Sequence, residues 1–310
     1  MRQADESKSD DGANAPRAPG GVATSPLSAG LWLVSTPIGN ARDITLRALD
    51  VLTNADVLAC EDTRVTRKLL EIHGIKLNGR PIIAYNDHSD AARRARIMDW
   101  LADGKSVAFA SDAGTPMIAD PGYRLVEDAM AQGHHVDVAP GPSSVPAAIC
   151  LAGLPSDRFF FGGFLPQKSG ARRAELQRVA AVPATLVFFE AARRLSSALQ
   201  DITAALGADR NMAVVREMTK KFQEVRRGPA AELAAEYAAG EPPKGEIVLV
   251  IGPPNPALLT EDPDIARDLL KAAMTSRSAK DAVREVAQAT GLPRRVIYQM
   301  SLEINAEGPE

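Results

Sequence analysis

Five short apolar runs recur between Leu31 and Ala139, and each passes into a polar or Gly/Pro loop. The runs are LWLVS (Leu31 to Ser35), VLAC (Val57 to Cys60), PIIAY (Pro81 to Tyr85), SVAFA (Ser106 to Ala110) and HHVDVA (His134 to Ala139). Helix-compatible stretches separate them. Regular strand–helix alternation of this kind predicts a mostly parallel sheet covered by helices. Such a sheet gathers its outgoing loops along one edge, where α/β folds bind ligands. The first helix is expected to start at Asp43 as its cap, with Ile44, Ala48, Leu49 and Leu52 on one face. Ser89 or Asp90 is expected to cap the third helix, and Gly74 to stop the second.

The loop after the fourth run, SDAGTPMIADPG (Ser111 to Gly122), holds the carboxylate of Asp112 together with two glycines and two prolines. It has neither the GxGxxG dinucleotide fingerprint nor the GxxxxGK[ST] phosphate loop. By itself it reads equally as a ligand-binding loop and as a rigid turn.

Beyond residue 153 the pattern changes. FFFGGF (Phe159 to Phe164), ATLVFFE (Ala184 to Glu190), NMAVVREMT (Asn211 to Thr219), FQEVRRG (Phe222 to Gly228) and KGEIVLVIG (Lys244 to Gly252) read as strands. Only two longer helices are expected among them, near 170–182 and 193–207. The two strands flanking Lys220 read as a hairpin, so the second sheet is expected to be mixed. From Asp264 onward only helices are expected. A break at Gly291-Leu292-Pro293 makes the last two a helix-turn-helix candidate. Lys271 to Glu303 carries six basic residues against three acidic ones, an excess of three. The same helices also read as a hairpin packed on the core or on a dimer partner. The expected organisation is therefore a disordered tail at 1–30, an α/β domain at 31–153, a second at 154–255 and a helical domain at 264–310.

Composition narrows the function classes. The formal net charge of −3 argues against a globally basic RNA binder but leaves a local basic surface open. No apolar run approaches the roughly 20 residues of a membrane helix, and no secretory signal is evident. Cys60 and Cys150 are far apart and read as two buried, reduced thiols in a cytosolic protein. The four histidines lack metal-ligand spacing, so no metal is expected.

Taken together, STPIGN, CEDTR, SDAGTPMIADPG, PGPSSVPAAI and FFE resemble the ribosomal RNA small-subunit methyltransferase I family. That family belongs to the tetrapyrrole-methylase, or class III, group of S-adenosylmethionine-dependent methyltransferases. The resemblance covers Leu31 to Gly252 and continues into the C-terminal helices. It implies 2′-O-methylation of a cytidine ribose in the decoding region of 16S ribosomal RNA. It also implies a cytoplasmic homodimer of a two-domain fold, with the cofactor in a cleft between the domains. Carried over by motif, the cofactor site would use Pro37, Ile38, Gly39, Asp112, Ala113, Gly114, Thr115, Ile118, Ser143, Ser144, Glu190, Met218 and Glu246.

A ribose hydroxyl is a poor nucleophile at neutral pH and benefits from a proton acceptor within reach. The candidates at the strand ends are Glu61, Asp62, Arg64 and His88. CEDTR also reads as a helix-capping cluster, and His88 as a helix-flanking surface residue. Arg216, Lys220, Arg294 and Arg295 are the candidate RNA contacts; a charge run also reads as a solvated face. Arg172, Arg173, Arg193 and Arg194 stand at helix starts, which the helix dipole disfavours unless an anion lies nearby; they also read as scattered surface charge. The rival readings are a methyltransferase acting on a small tetrapyrrole and a non-enzymatic RNA-binding assembly factor. A basic hairpin and a C-terminal helical domain argue against a small substrate.

Overall fold

The computed structural model describes residues 26–86, 91–254, 263–275, 278–290 and 292–307. The expected tail at 1–30 lies outside them up to residue 25, and so do Asp87, His88, Ser89 and Asp90. The chain forms two compact units. The first holds the described residues up to Ala147 together with Glu217–Gln223, and the second holds Ala148–Arg216 and the described residues from Glu224 onward.

In the first unit, β1 (Gly30–Val34), β2 (Val57–Cys60), β3 (Ile82–Ala84), β4 (Ser106–Ala110) and β5 (Val136–Ala139) form one sheet in the order β3-β2-β4-β1-β5. Every pairing in it is parallel. The strands alternate with α1 (Leu46–Asn54), α2 (Thr63–Ile72), α3 (Ala91–Ala102), α4 (Tyr123–Ala131) and α5 (Ser144–Ala152), whose last residues enter the second unit. Both sheet faces are buried, which explains the unbroken apolar runs. Leu31, Val107 and Phe109 face one core, and Trp32, Val34, Ala108 and Ala110 the other. Helix α1 covers its side with Ala48, Val51 and Leu52, at helical spacing. Its cap is Thr45, whose hydroxyl accepts from the Ala48 N–H at 3.2 Å, and not Asp43. Asp43 instead donates its backbone N–H to the Asn40 carbonyl in the preceding turn. Neighbours β1 and β4 send their connections in opposite directions along the sheet, to β2 and to β5. This is the switch-point arrangement that opens a crevice at the carboxyl ends of strands.

The second unit contains β6 (Phe159–Phe164), β7 (Thr185–Ala191), β8 (Asn211–Arg216), β9 (Glu224–Pro229) and β10 (Glu246–Ile251), ordered β6-β7-β10-β8-β9. Only β6 and β7 pair in parallel, so the sheet is mixed. Helices α6 (Ser169–Val179) and α7 (Leu195–Leu206) lie where expected, and a 3₁₀ turn, Ala192–Arg194, leads into α7. A third helix, α8 (Ala230–Ala239), corrects the expectation of two. Its sequence, AAELAAEYAA, is short and alanine-rich, which weakens the apolar contrast that marks a helix face. It nevertheless buries Ala230, Leu233, Ala234 and Tyr237 in the same core as Leu176, Phe188, Leu199, Val214 and Leu249.

Helices α9 (Pro263–Met274), α10 (Ala279–Thr290) and α11 (Arg294–Glu307) share a separate cluster of Ala266, Leu270, Ala282, Val283, Val286 and Ile297. Ser278 caps α10: its hydroxyl accepts from the Asp281 N–H and donates to the Asp281 carboxylate. Among the described residues no helix is long and apolar enough to cross a membrane.

Candidate active site

The loops after β1 and β4 are tied to one another by backbone hydrogen bonds. Thr36 and Gly114 exchange both of theirs, at 2.9 and 3.0 Å, so the two loops form a one-rung antiparallel bridge. The Thr36 hydroxyl donates to the Ser111 carbonyl at 3.0 Å, and the Ser111 hydroxyl donates to the Gly114 carbonyl at 2.7 Å. The loop after β5 joins through Thr115, whose hydroxyl donates to the Pro142 carbonyl at 3.1 Å and receives one from Ser35 at 3.3 Å. Gly114 has φ +87°, and a Cβ there would stand 3.3 Å from Ile38 Cγ2. Further along the loop, Met117 (φ 72°) and Ala119 (φ 63°) also hold left-handed backbone. Strain of that kind, at non-glycine residues, collects at ligand sites.

The carboxylates converge on this frame. The Asp62 N–H donates to Oδ1 of Asp112 at 2.9 Å, and the Asp112 N–H donates to Oε1 of Glu61 at 3.1 Å. Burial, then the charge of Asp120, pushes Glu61 up to about 7, with Asp112 adding to the effect. Asp120 rises to about 6, from burial and the nearby charge of Asp112. Asp112 is also raised, chiefly by burial. Asp62 moves the other way, to about 2, because Arg64 and its own backbone N–H hydrogen-bond to it. The loops after β2 and β4 thus hold a carboxylate that stays ionised and two that take up a proton near neutrality. Such separation assigns acid and base roles.

The capping reading of CEDTR accounts for part of the cluster. Asp62 is the N-cap of α2, and Arg64, 88% exposed, folds back onto it. Glu61 has no part in that cap. Its partner is the loop after β4.

A fourth segment completes the first unit. The turn Glu217–Gln223, although it joins β8 to β9, packs on the loop after β1. The Asn40 N–H donates to the Thr219 hydroxyl at 3.0 Å. A Cβ on Gly39 would come within 2.6 Å of Lys220 Cγ and Thr219 Oγ1 and 2.8 Å of the Met218 carbonyl, so only glycine fits.

The first unit therefore brings together Pro37, Ile38, Gly39, Glu61, Asp62, Arg64, Asp112, Ala113, Gly114, Thr115, Ile118, Ser143, Ser144 and Met218. Ser144 opens α5, and Met218 is buried in the turn. Glu190 and Glu246 lie in the second unit as members of adjoining strands, Glu246 opposite Ala191. Glu190 is buried; one oxygen accepts from Arg194 at 2.6 Å, and the other has no partner. His88 lies outside the described residues.

Among the candidate RNA contacts, Arg216 pairs with Glu224 at 3.0 Å and Lys220 with Glu217 at 2.9 Å. Arg294 and Arg295 open α11 and are exposed. For three of the four helix-start arginines the expected anion is the protein's own. Arg172 and Arg173 bind Asp201, and Arg194 binds Glu190. Cys60 is buried, with its thiol pushed up to about 11 by desolvation, but Cys150 is exposed, contrary to expectation.

Two contributors were not singled out from the sequence. Asp120 sits inside the same loop as Asp112, and a second carboxylate between tight-turn residues was the available signal. Thr219 gives no local signal, because its partner is 179 residues away.

Residues 30–234 match the family model of the Tetrapyrrole (Corrin/Porphyrin) Methylases, and residues 260–305 match that of the RsmI C-terminal HTH domain. The chain is 48% identical over 279 residues to the ribosomal RNA small subunit methyltransferase I of Mesorhizobium japonicum, across 90% of this chain and 93% of that one. It is 39% identical over 277 residues to the protein of the same name from Escherichia coli O157:H7, across 88% and 94%. The uroporphyrin-III-C-methyltransferase structure from Thermus thermophilus superposes with a TM-score of 0.51 at 20% identity, covering 72% of this chain and 94% of that one. At that identity the likeness speaks to the fold, which is of the tetrapyrrole-methylase type.

Proposed function

Because the chain belongs to the ribosomal RNA small subunit methyltransferase I family, we propose that it methylates small-subunit ribosomal RNA with S-adenosylmethionine as donor. The finer reading is transfer to the 2′-hydroxyl of a cytidine in the decoding region, by a cytoplasmic homodimer. The observation that carries it is the chain of bonds Asp62 N–H to Asp112 and Asp112 N–H to Glu61, which fixes two carboxyls where the loops after β2 and β4 meet.

The residues suit the donor. S-adenosylmethionine supplies an electrophilic methyl group on a cationic sulfur. Burial raises the proton affinity of Glu61, Asp112 and Asp120, and the charges of Asp120 and Asp112 add to it at Glu61, so a bound cation eases the cost of ionising this cluster. Backbone groups at Ile38, Gly39, Ala113 and Gly114 offer the close approach that a nucleoside needs, and Thr115, Ser143 and Ser144 offer hydroxyls. In the second unit, the unpartnered oxygen of Glu190 is a ready acceptor for a ligand hydroxyl or amine.

Glu61 is the proton acceptor for the ribose hydroxyl in this reading. A carboxylate near 7 is matched to that task at cellular pH. Asp62, held ionised by Arg64, orients Asp112 through its N–H. The remaining work of the site is alignment. Helices α10 and α11, with Arg294 and Arg295, supply phosphate contacts outside the site.

Small ribosomal subunits lacking the modification, incubated with labelled S-adenosylmethionine, test this directly. Label in 2′-O-methylcytidine of the decoding region supports the proposal. Label at another position of the RNA removes the finer reading, and no label in RNA removes both.

A further inference from the structure

The turn joining β8 to β9 has a shape that its connecting role does not require. Two of its residues, Glu217 (φ 50°) and Thr219 (φ 62°), hold left-handed backbone without being glycine. Four further contacts fix it. The Lys220 N–H bonds the Glu217 carbonyl, the Gln223 N–H bonds the Lys220 carbonyl, the Thr219 N–H bonds the Gln223 side chain at 2.7 Å, and Lys220 pairs with Glu217. Gly39 and Asn40 then clamp the whole turn to the loop after β1.

Near the end of this turn, two residues before β9, stands Phe222, 64% exposed. Its neighbour Lys221 places Nζ 5.5 Å from the ring centroid. An exposed aromatic ring held on a strained, over-determined turn loses little entropy on binding a flat partner. A cation beside it adds an attraction for phosphate. An aromatic ring next to a lysine is the combination with which proteins hold unpaired nucleotides, the ring stacking on the base and the cation meeting the backbone.

We propose that Phe222 is a nucleobase-stacking residue that holds an unpaired base of the RNA substrate beside the loop after β1. This rests on the reading of the protein as an RNA methyltransferase and names a positioning residue for it. Stacking on a base is sequence-tolerant, so Phe222 fixes where the strand lies, and the choice of base falls to other groups. Lys221 contributes a salt-sensitive contact to the same strand.

The test uses the full-length protein and a short single-stranded RNA bearing the decoding-region cytidine, with binding read by fluorescence anisotropy and transfer measured in parallel on undermodified small subunits. Phe222→Ala and Phe222→Leu should each weaken RNA binding by about 5- to 150-fold, the range that loss of one base–aromatic stack implies. Phe222→Tyr and Phe222→Trp should restore it, and S-adenosylmethionine affinity should be unchanged in all four. The loss in Phe222→Ala should persist at high salt, whereas the loss in Lys221→Ala should fade. Wild-type affinity in Phe222→Leu, or no rescue by Tyr and Trp, overturns the stacking role. If the wild type binds RNA but transfers no methyl group, the methyltransferase reading fails while the variants still decide the stacking. If the wild type does not bind the short RNA, the stacking role fails, and label in the subunits decides the methyltransferase reading separately.

Discussion

Asp112 is joined to Glu61 by its backbone and not by its carboxylate: its N–H donates to Oε1 of Glu61 at 3.1 Å, while its own Oδ1 receives the N–H of Asp62. The arrangement holds two carboxyl groups on neighbouring loops without an intervening cation. It leaves the Glu61 carboxyl with a partner for one oxygen and an elevated proton affinity.

The first expectation concerns that proton. Methyl transfer should rise with pH through about 7, as Glu61 loses its proton. Glu61→Gln should lower kcat by about 100-fold or more and flatten the profile, with S-adenosylmethionine affinity falling far less than kcat, as initial rates and calorimetry would show. A profile that still rises through 7 in the variant would move the base elsewhere.

The same group makes a stability prediction. The folded pKa of Glu61 lies above its ordinary value of 4.5, so folding favours the protonated form. Its stabilising contribution is full below about 4.5 and is lost as pH rises through about 7. Asp120 acts likewise between 3.8 and about 6. Thermal melts of Glu61→Gln and Asp120→Asn should gain on the wild type as pH increases from 5 to 8.

Gly39→Ala should displace the turn that carries Thr219 and Lys220, because the added methyl group meets atoms at 2.6 Å. A cost of about 1–3 kcal/mol is expected in denaturant titration, as for other overpacked sites. Thr219→Ala should cost less, about 0.5–1.5 kcal/mol, since it removes one hydrogen bond and leaves the Asn40 N–H open to water.

In the second unit, Asp201 is 3% exposed and carries Arg172, itself 2% exposed. Burial works to raise the Asp201 pKa, but hydrogen bonds from Arg173, Ser169 and Arg172 overcome it and hold it below 3.8. Asp201→Asn should cost about 3–5 kcal/mol in urea unfolding, because it leaves a buried guanidinium without its counter-charge. The pair's contribution is present above pH 3.8 and disappears as pH falls through the folded pKa.

Removing residues 262–310 should weaken RNA binding while sparing cofactor binding. Filter binding and calorimetry would separate the two. Unchanged RNA affinity would leave α10 and α11 without the role assigned to them.

The first sheet was legible because its strands are buried on both faces and therefore read as continuous apolar runs, each followed by its loop. The loops named from those runs are the ones that meet, as Thr36 and Gly114 show. The cap of α1 was misplaced because Asp43 and Thr45 are both good caps and only the turn at Asn40 chooses between them. Helix α8 was missed for want of bulky side chains. The anchoring of Thr219 on Asn40 could not be read locally, since it depends on how a distant hairpin returns to the first unit. Arg172 looked like an anion site for a related reason: its carboxylate, Asp201, is 29 residues further on.

That return has a consequence for how the protein is made. The five strands of the first sheet and their loops are complete by Ala147, yet the acceptor for the Asn40 N–H arrives only with Thr219. A nascent chain therefore carries the whole first sheet through the synthesis of more than 70 residues (147 to 219) before its first loop can be clamped. No single cut separates the two units cleanly. A fragment ending at Ala147 lacks the turn, and one starting at Ala148 carries the turn without Gly39 and Asn40. The clamp on the first loop therefore closes only late in translation.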